Sequence, residues 1–211
     1  LSKLADKQIV DVGEDIGFML NIGNNANNSM DIIAVDSLPY PGDDQGSDFT
    51  GECYVKEVTI QTEDLRDKIE LYYTNDPNQK GKTSIDYNKG DIENNTVFQE
   101  LKFDQNTGKA KIPDDFKPVS VVAVGTLPSS KTLKIHITLN LPEGKAGEHV
   151  VNRLTRGDLE SDARTYYKEE IPVTGVNDHR IGIPEMMMAL LVILAGIGSS
   201  CRMFKKRKER S

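Results

Sequence analysis

Two stretches of this chain alternate so cleanly that they fix its fold class. Ile16, Phe18, Leu20 and Ile22 are separated by Gly17, Met19 and Asn21; Leu133, Ile135, Ile137 and Leu139 are separated by Lys134, His136 and Thr138. A period of two is the pitch of a β-strand with one buried face, and a helix cannot bury such a row. Turn clusters bound these runs: Asn-rich residues 23–29, and Asp36-Ser37-Leu38-Pro39 after a second strand at 30–35. Strands are further expected at 54–62, 69–73, 97–103 (weakly), 119–124 and 149–155. The run 119–124 is continuously apolar instead of alternating. Residues 40–51 read as a loop and 74–96 as a polar excursion. Short strands joined by polar turns predict an all-β fold over 1–155, an immunoglobulin-like β-sandwich. Residues 156–170 are mostly charged and read as a linker or stalk.

The composition changes at Ile171. Ile171-Pro172-Val173-Thr174-Gly175 is followed by a short polar spacer, an apolar run at 186–201 and a basic tail at 202–211. As a helix, the apolar run would span about 24 Å, close to the bilayer core. The basic cluster after it halts on the cytoplasmic side by the positive-inside rule. The expectation is a C-terminal transmembrane helix with the sandwich outside. Leu1 is not a start residue and no signal peptide opens the chain, so the sequence reads as a fragment lacking its N-terminal part.

Charge narrows the partners. The 26 basic and 33 acidic residues give a net of −7, but seven basic and three acidic residues lie beyond Thr174. Residues 1–174 therefore hold 19 basic against 30 acidic residues, a net of −11. An acidic body argues against nucleic acid, whose phosphates need clustered Lys and Arg. The chain carries no Gly-x-Ser-x-Gly, Walker or dinucleotide motif, and it reads as no enzyme, with no cofactor. His136, His149 and His179 do not have metal-ligand spacing. Asp43, Asp44 and Asp48 fall in a Gly-containing loop that departs from the EF-hand pattern and read as solvated. Cys53 has no His partner in view and reads as packing. Cys201 lies in the apolar run, so no internal disulfide is expected.

The order of the tail resembles a cell-wall sorting signal of Gram-positive surface proteins: a Leu-Pro-x-Thr-Gly pentapeptide, a hydrophobic stretch and a positive end. Ile171 departs from the pattern, while Pro172, Thr174 and Gly175 match it. The resemblance implies sortase as a partner, cleavage between Thr174 and Gly175, and covalent attachment of Thr174 to peptidoglycan. The location it implies is the cell surface, with a precursor that spans the membrane once.

The body resembles the collagen-adhesin-like and conserved-repeat β-sandwich domains of Gram-positive adhesins. The resemblance rests on Leu1-Ser2-Lys3, Val12-Gly13-Glu14-Asp15, Leu20-Asn21-Ile22, Asp36-Ser37-Leu38-Pro39 and Leu141-Pro142-Glu143-Gly144 through Asn152. Many members of these families form an intramolecular isopeptide bond between a first-strand Lys and a last-strand Asn, assisted by a buried acid. Carried over by position, these are Lys3, Asn152 and Asp36, with the protonated acid polarising the Asn152 carbonyl. Strand parity agrees: Asn152 shares a face with Val150 and Leu154, Asp36 with Ile32 and Ala34, and Lys3 with Leu1 and Ala5. On the residues alone, Lys7 competes as donor, Asp36 also suits a turn cap, and Asn152 suits a strand end. The implied role is a wall-anchored stalk or adhesive module. It would display an upstream binding region toward host extracellular matrix or another surface ligand. The alternative is a sortase-polymerised pilus subunit, for which no Tyr-Pro-Lys motif is present.

Overall fold

The computed structural model describes residues 1–94, 96–113 and 116–169. The sorting pentapeptide 171–175, the apolar run 186–201 and the basic tail lie outside the described residues. Among the described residues no helix is long and apolar enough to cross a membrane.

In chain order the strands are β1 (Ser2–Ala5), β2 (Ile9–Val10), β3 (Ile16–Gly23), β4 (Met30–Ser37), β5 (Tyr54–Ile60), β6 (Ile69–Thr74), β7 (Gln99–Glu100), β8 (Ser120–Leu127), β9 (Thr132–Asn140), β10 (His149–Arg156) and β11 (Leu159–Tyr167). They form two sheets, β1-β3-β9-β5 and β2-β11-β10-β4-β8-β6-β7. Every ladder is antiparallel except β2 with β11. The all-β sandwich expected from the sequence is the architecture observed.

The two alternating runs pair with each other. Ile16 opposes Leu139, Phe18 opposes Ile137, Leu20 opposes Ile135 and Ile22 opposes Leu133. All eight side chains are buried in the core between the sheets. Each such burial stabilises the fold by about 1.5–3 kcal/mol. A slip of one residue would turn the whole row to solvent, so the pattern also fixes the register.

The continuous run in β8 has a different cause. Val121 and Ala123 face the first sheet, while Val122 and Val124 face outward into a second buried cluster with Val35, Ile92 and Phe98. A strand covered on both faces has no polar side to alternate. The cover comes from the excursion after β6. Its short helix α1 (Lys89–Glu93) begins at a capping box, in which Asn88 accepts from the Asp91 amide and Asp91 bonds back. That start delivers Ile92 onto the sheet. Hydroxyls pin the excursion further: Ser37 Oγ donates to Lys82 O at 2.9 Å, and Thr155 Oγ1 accepts from Ser84 N at 2.9 Å.

Three expectations are corrected. In place of the linker expected at 156–170, Leu159–Tyr167 is the strand β11, paired with β10 along eight positions. Its inward row is Ser161, Ala163, Thr165 and Tyr167, of which the first three are too small or polar to signal burial. Residues 97–103 hold only the two-residue β7; beyond it a hairpin closes through the Phe103–Ala110 bridge. The loop 40–51 is not simply solvated, because Asp48 bridges His149 and Ser47 Oγ donates to Val151 O at 3.1 Å.

Candidate functional site

Lys3, Asp36 and Asn152 come from both sheets and meet in the interior. Lys3 opposes Leu20 on β3, and its parity sends the side chain inward, where it is fully buried. Asp36 stands on β4 in line with Ile32 and Ala34. Asp36 opposes Leu154, which sets Asn152 two residues away on the same face of β10. Asp36 is 1 % exposed and Asn152 0 %.

The Asp36 carboxyl bridges the other two groups. Its Oδ1 contacts Lys3 Nζ, and its Oδ2 accepts from Asn152 Nδ2 at 3.3 Å. Lys3 Nζ also lies 5.4 Å from the centre of the Phe18 ring. Asn152 Oδ1 is buried with no hydrogen-bond partner among the described residues. The acid therefore touches the amide nitrogen and not the carbonyl oxygen, a difference from the expected polarisation of the carbonyl.

Burial controls the charge state. It lowers the Lys3 ammonium to about 8, against the opposing pull of Asp36. It pushes the Asp36 carboxyl above the usual range, against Lys3 and Asn152. Both shifts favour the neutral forms, an amine facing a carboxylic acid. A neutral amine beside a carboxamide and a proton carrier has the components of an amide exchange.

The other candidates lie apart from this cluster. Lys7 is exposed and pairs with Glu14. Burial pushes the Cys53 thiol up to about 12, with the Asp36 charge adding to it, which leaves the sulfur unreactive. His136 Nε2 bonds Asp6 Oδ2 at 2.7 Å, and His149 Nε2 bonds Gly46 O at 2.8 Å. Asp43 accepts from Ser47 N at 2.9 Å and from Tyr40 N at 3.3 Å, organising its own loop. Ile171, Pro172, Thr174 and Gly175 lie outside the described residues.

One site residue escaped the sequence reading. Ser161 Oγ on β11 accepts from the Lys3 backbone amide at 2.9 Å. A hydroxyl in a charged stretch gives no signal of its own; only the alternation over 159–167 hints that it faces inward.

No family model matches the chain, and no curated protein matches it. Among solved structures it is similar to AvmM, described as catalysing macrocyclization in alchivemycin A biosynthesis: 12 % identity, TM-score 0.31, 80 % of this chain and 87 % of that one. It is similar to the major pilin subunit of Bacillus cereus: 10 % identity, TM-score 0.30, 77 % of this chain and 37 % of that one. It is also similar to the C-terminal domain of the Streptococcus pyogenes antigen I/II-family protein AspA: 15 % identity, TM-score 0.29, 76 % of this chain and 41 % of that one. The chain spans less than half the length of the last two. Identities this low, with superpositions this partial, define no family for it.

Proposed function

We propose that this chain is a self-cross-linking stalk or adhesive module of a bacterial surface protein, attached to the cell wall through Thr174. The observation that carries the cross-link is the buried bridge in which one carboxyl touches both the amine and the carboxamide nitrogen. Lys3 Nζ attacks Asn152 Cγ. The proton it sheds passes to Asp36 Oδ1, and Oδ2 supplies one to Asn152 Nδ2. The Cγ–Nδ2 bond breaks, ammonia leaves, and an Nζ–Cγ amide remains. No oxidant or cofactor is consumed.

The product ties the edge strand of the four-stranded sheet to β10, an interior strand of the seven-stranded one. Closing so long a loop stabilises the fold by about 4–5 kcal/mol if it behaves like a long-loop disulfide. Such a lock suits a protein held at one end and loaded at the other. The attachment itself is supported by the order of pentapeptide, apolar run and basic tail in the sequence.

The test is the intact mass of residues 1–170 beside the Lys3→Ala variant. The parent is expected to be one ammonia lighter than its formula and the variant to match its own. A parent at full formula mass would sink the cross-link. The attachment stands or falls on whether Thr174→Ala moves the chain from the wall fraction to the membrane fraction.

A further inference from the structure

β1 is four residues long and has a ladder partner, β3, on one side only. Its other side faces β11, which grips the N-terminal segment at three points. Ser161 Oγ accepts from Lys3 N at 2.9 Å, Thr165 Oγ1 donates to Lys7 O at 2.9 Å, and β2 pairs in parallel with Tyr166 and Tyr167. The first grip lies on the backbone of the amine-bearing residue itself. Beside it Ala163 opposes Asn152 across the β10–β11 ladder, so one strand borders both reacting residues. Lys3, Leu4, Asp162 and Ala163 share the lining of a groove of about 500 Å³ along this seam. With β11 absent, that groove would open onto Lys3. Water would then reverse the lowering of proton affinity that burial causes, and less of the amine would be free to act as a nucleophile.

We propose that β11 completes the cross-linking site, with Ser161 as a positioning residue that holds Lys3 in reach of Asn152. The inference rests on the cross-link proposed above. Its consequence is an order of events: the bond forms only after the chain has folded through Tyr167, so the lock closes last.

The test follows ammonia loss by intact mass during cell-free synthesis of the full 211-residue chain, comparing Ser161→Thr with Ser161→Val. The two replacements have nearly the same shape and both favour strands, but only threonine keeps the acceptor oxygen. The threonine variant is expected to react at the parental rate. The valine variant should be slower by roughly fivefold, the equivalent of one ordinary hydrogen bond. Both are also melted in the Lys3→Ala background, where no bond can form, and are expected to melt together. A valine variant that reacts at the parental rate overturns the positioning role while the parent's ammonia loss still stands. Equal slowing of both variants also overturns it, as does a melting difference large enough to account for the slowing. A parent that never loses ammonia overturns the cross-link itself.

Discussion

At one seam of the sandwich Lys3 reaches inward from β1; at the other, Arg66 reaches beneath the 101–111 hairpin. Both cations are withdrawn from water, and their surroundings differ in kind. Arg66 donates from Nε to Ile60 O at 3.1 Å, from Nη1 to Gln105 O at 3.1 Å and to Asn106 O, and from Nη2 to Thr107 O at 3.1 Å. A planar fork meeting several carbonyls is fully engaged, and a guanidinium is a poor nucleophile. Gly108 completes the nest: its φ is +74°, and a Cβ there would stand 2.1 Å from Ile60 O. Lys3 has one carboxyl, one aromatic ring and a neighbouring carboxamide whose oxygen is unpartnered. Saturating a buried cation with backbone oxygens makes a rivet, whereas leaving it short of partners lowers its proton affinity and makes it reactive.

The sharpest way to break this contrast is Asn152→Ala, which keeps Lys3 and Asp36 but removes the acceptor carbon. Urea unfolding should show a loss of about 4–5 kcal/mol, the loop-closure contribution. The variant should also gain a pH dependence that the parent lacks. Unreacted Lys3 has a folded value of about 8 against an ordinary 10.5, so between those values the unfolded chain binds more protons. Stability of the variant therefore rises with pH across that window. In a cross-linked parent Lys3 would be an amide and would contribute no such slope. Equal stability, or parallel pH profiles for the two proteins, would refute the contrast.

Arg66→Ala tests the other seam. Leaving the buried Ile60 carbonyl without its donor and freeing the hairpin carbonyls of 105–107 to water should cost about 2 kcal/mol, read by the same unfolding experiment. The ammonia loss should be untouched, because the hairpin does not contribute to the reacting cluster. A variant that fails to cross-link would show that the seams are coupled. The smallest effect belongs to Lys7→Ala. Lys7 pairs with Glu14 in solvent, and its loss should change neither the mass difference nor the melting temperature. Any loss of cross-linking there would move the donor role from Lys3 to Lys7.

The residues of the Lys3 seam were carried over from the family resemblance, and strand parity agreed with them. Asn152 between Val150 and Leu154, and Asp36 after Ile32 and Ala34, point inward by counting alone. Little of the Arg66 seam was legible, because its partners are main-chain oxygens, which every residue supplies. β11 was hidden for another reason. Three of its four inward side chains are small, and Ser161, Ala163 and Thr165 carry almost no hydrophobic signal. Ile92 was hidden by its polar neighbours, although with Phe98 it covers the outward valines of β8.

The position of Asn152 ahead of β11 has a consequence for how the molecule would lengthen under tension. A bond between residues 3 and 152 encloses β2 through the first half of β10 in a closed loop, while residues 153–169 remain outside it. Tension applied from the C-terminal side meets first the backbone bonds at the end of β11: Tyr166 N to Gln8 O, Tyr167 N to Glu148 O and Lys168 N to Val10 O. Once these part, β11 can unzip from β10 rung by rung, adding up to about 3.3–3.6 Å per residue. Extension then halts at the amide. The strand proposed to help make the bond would become, once the bond exists, a slack length in series with an inextensible core.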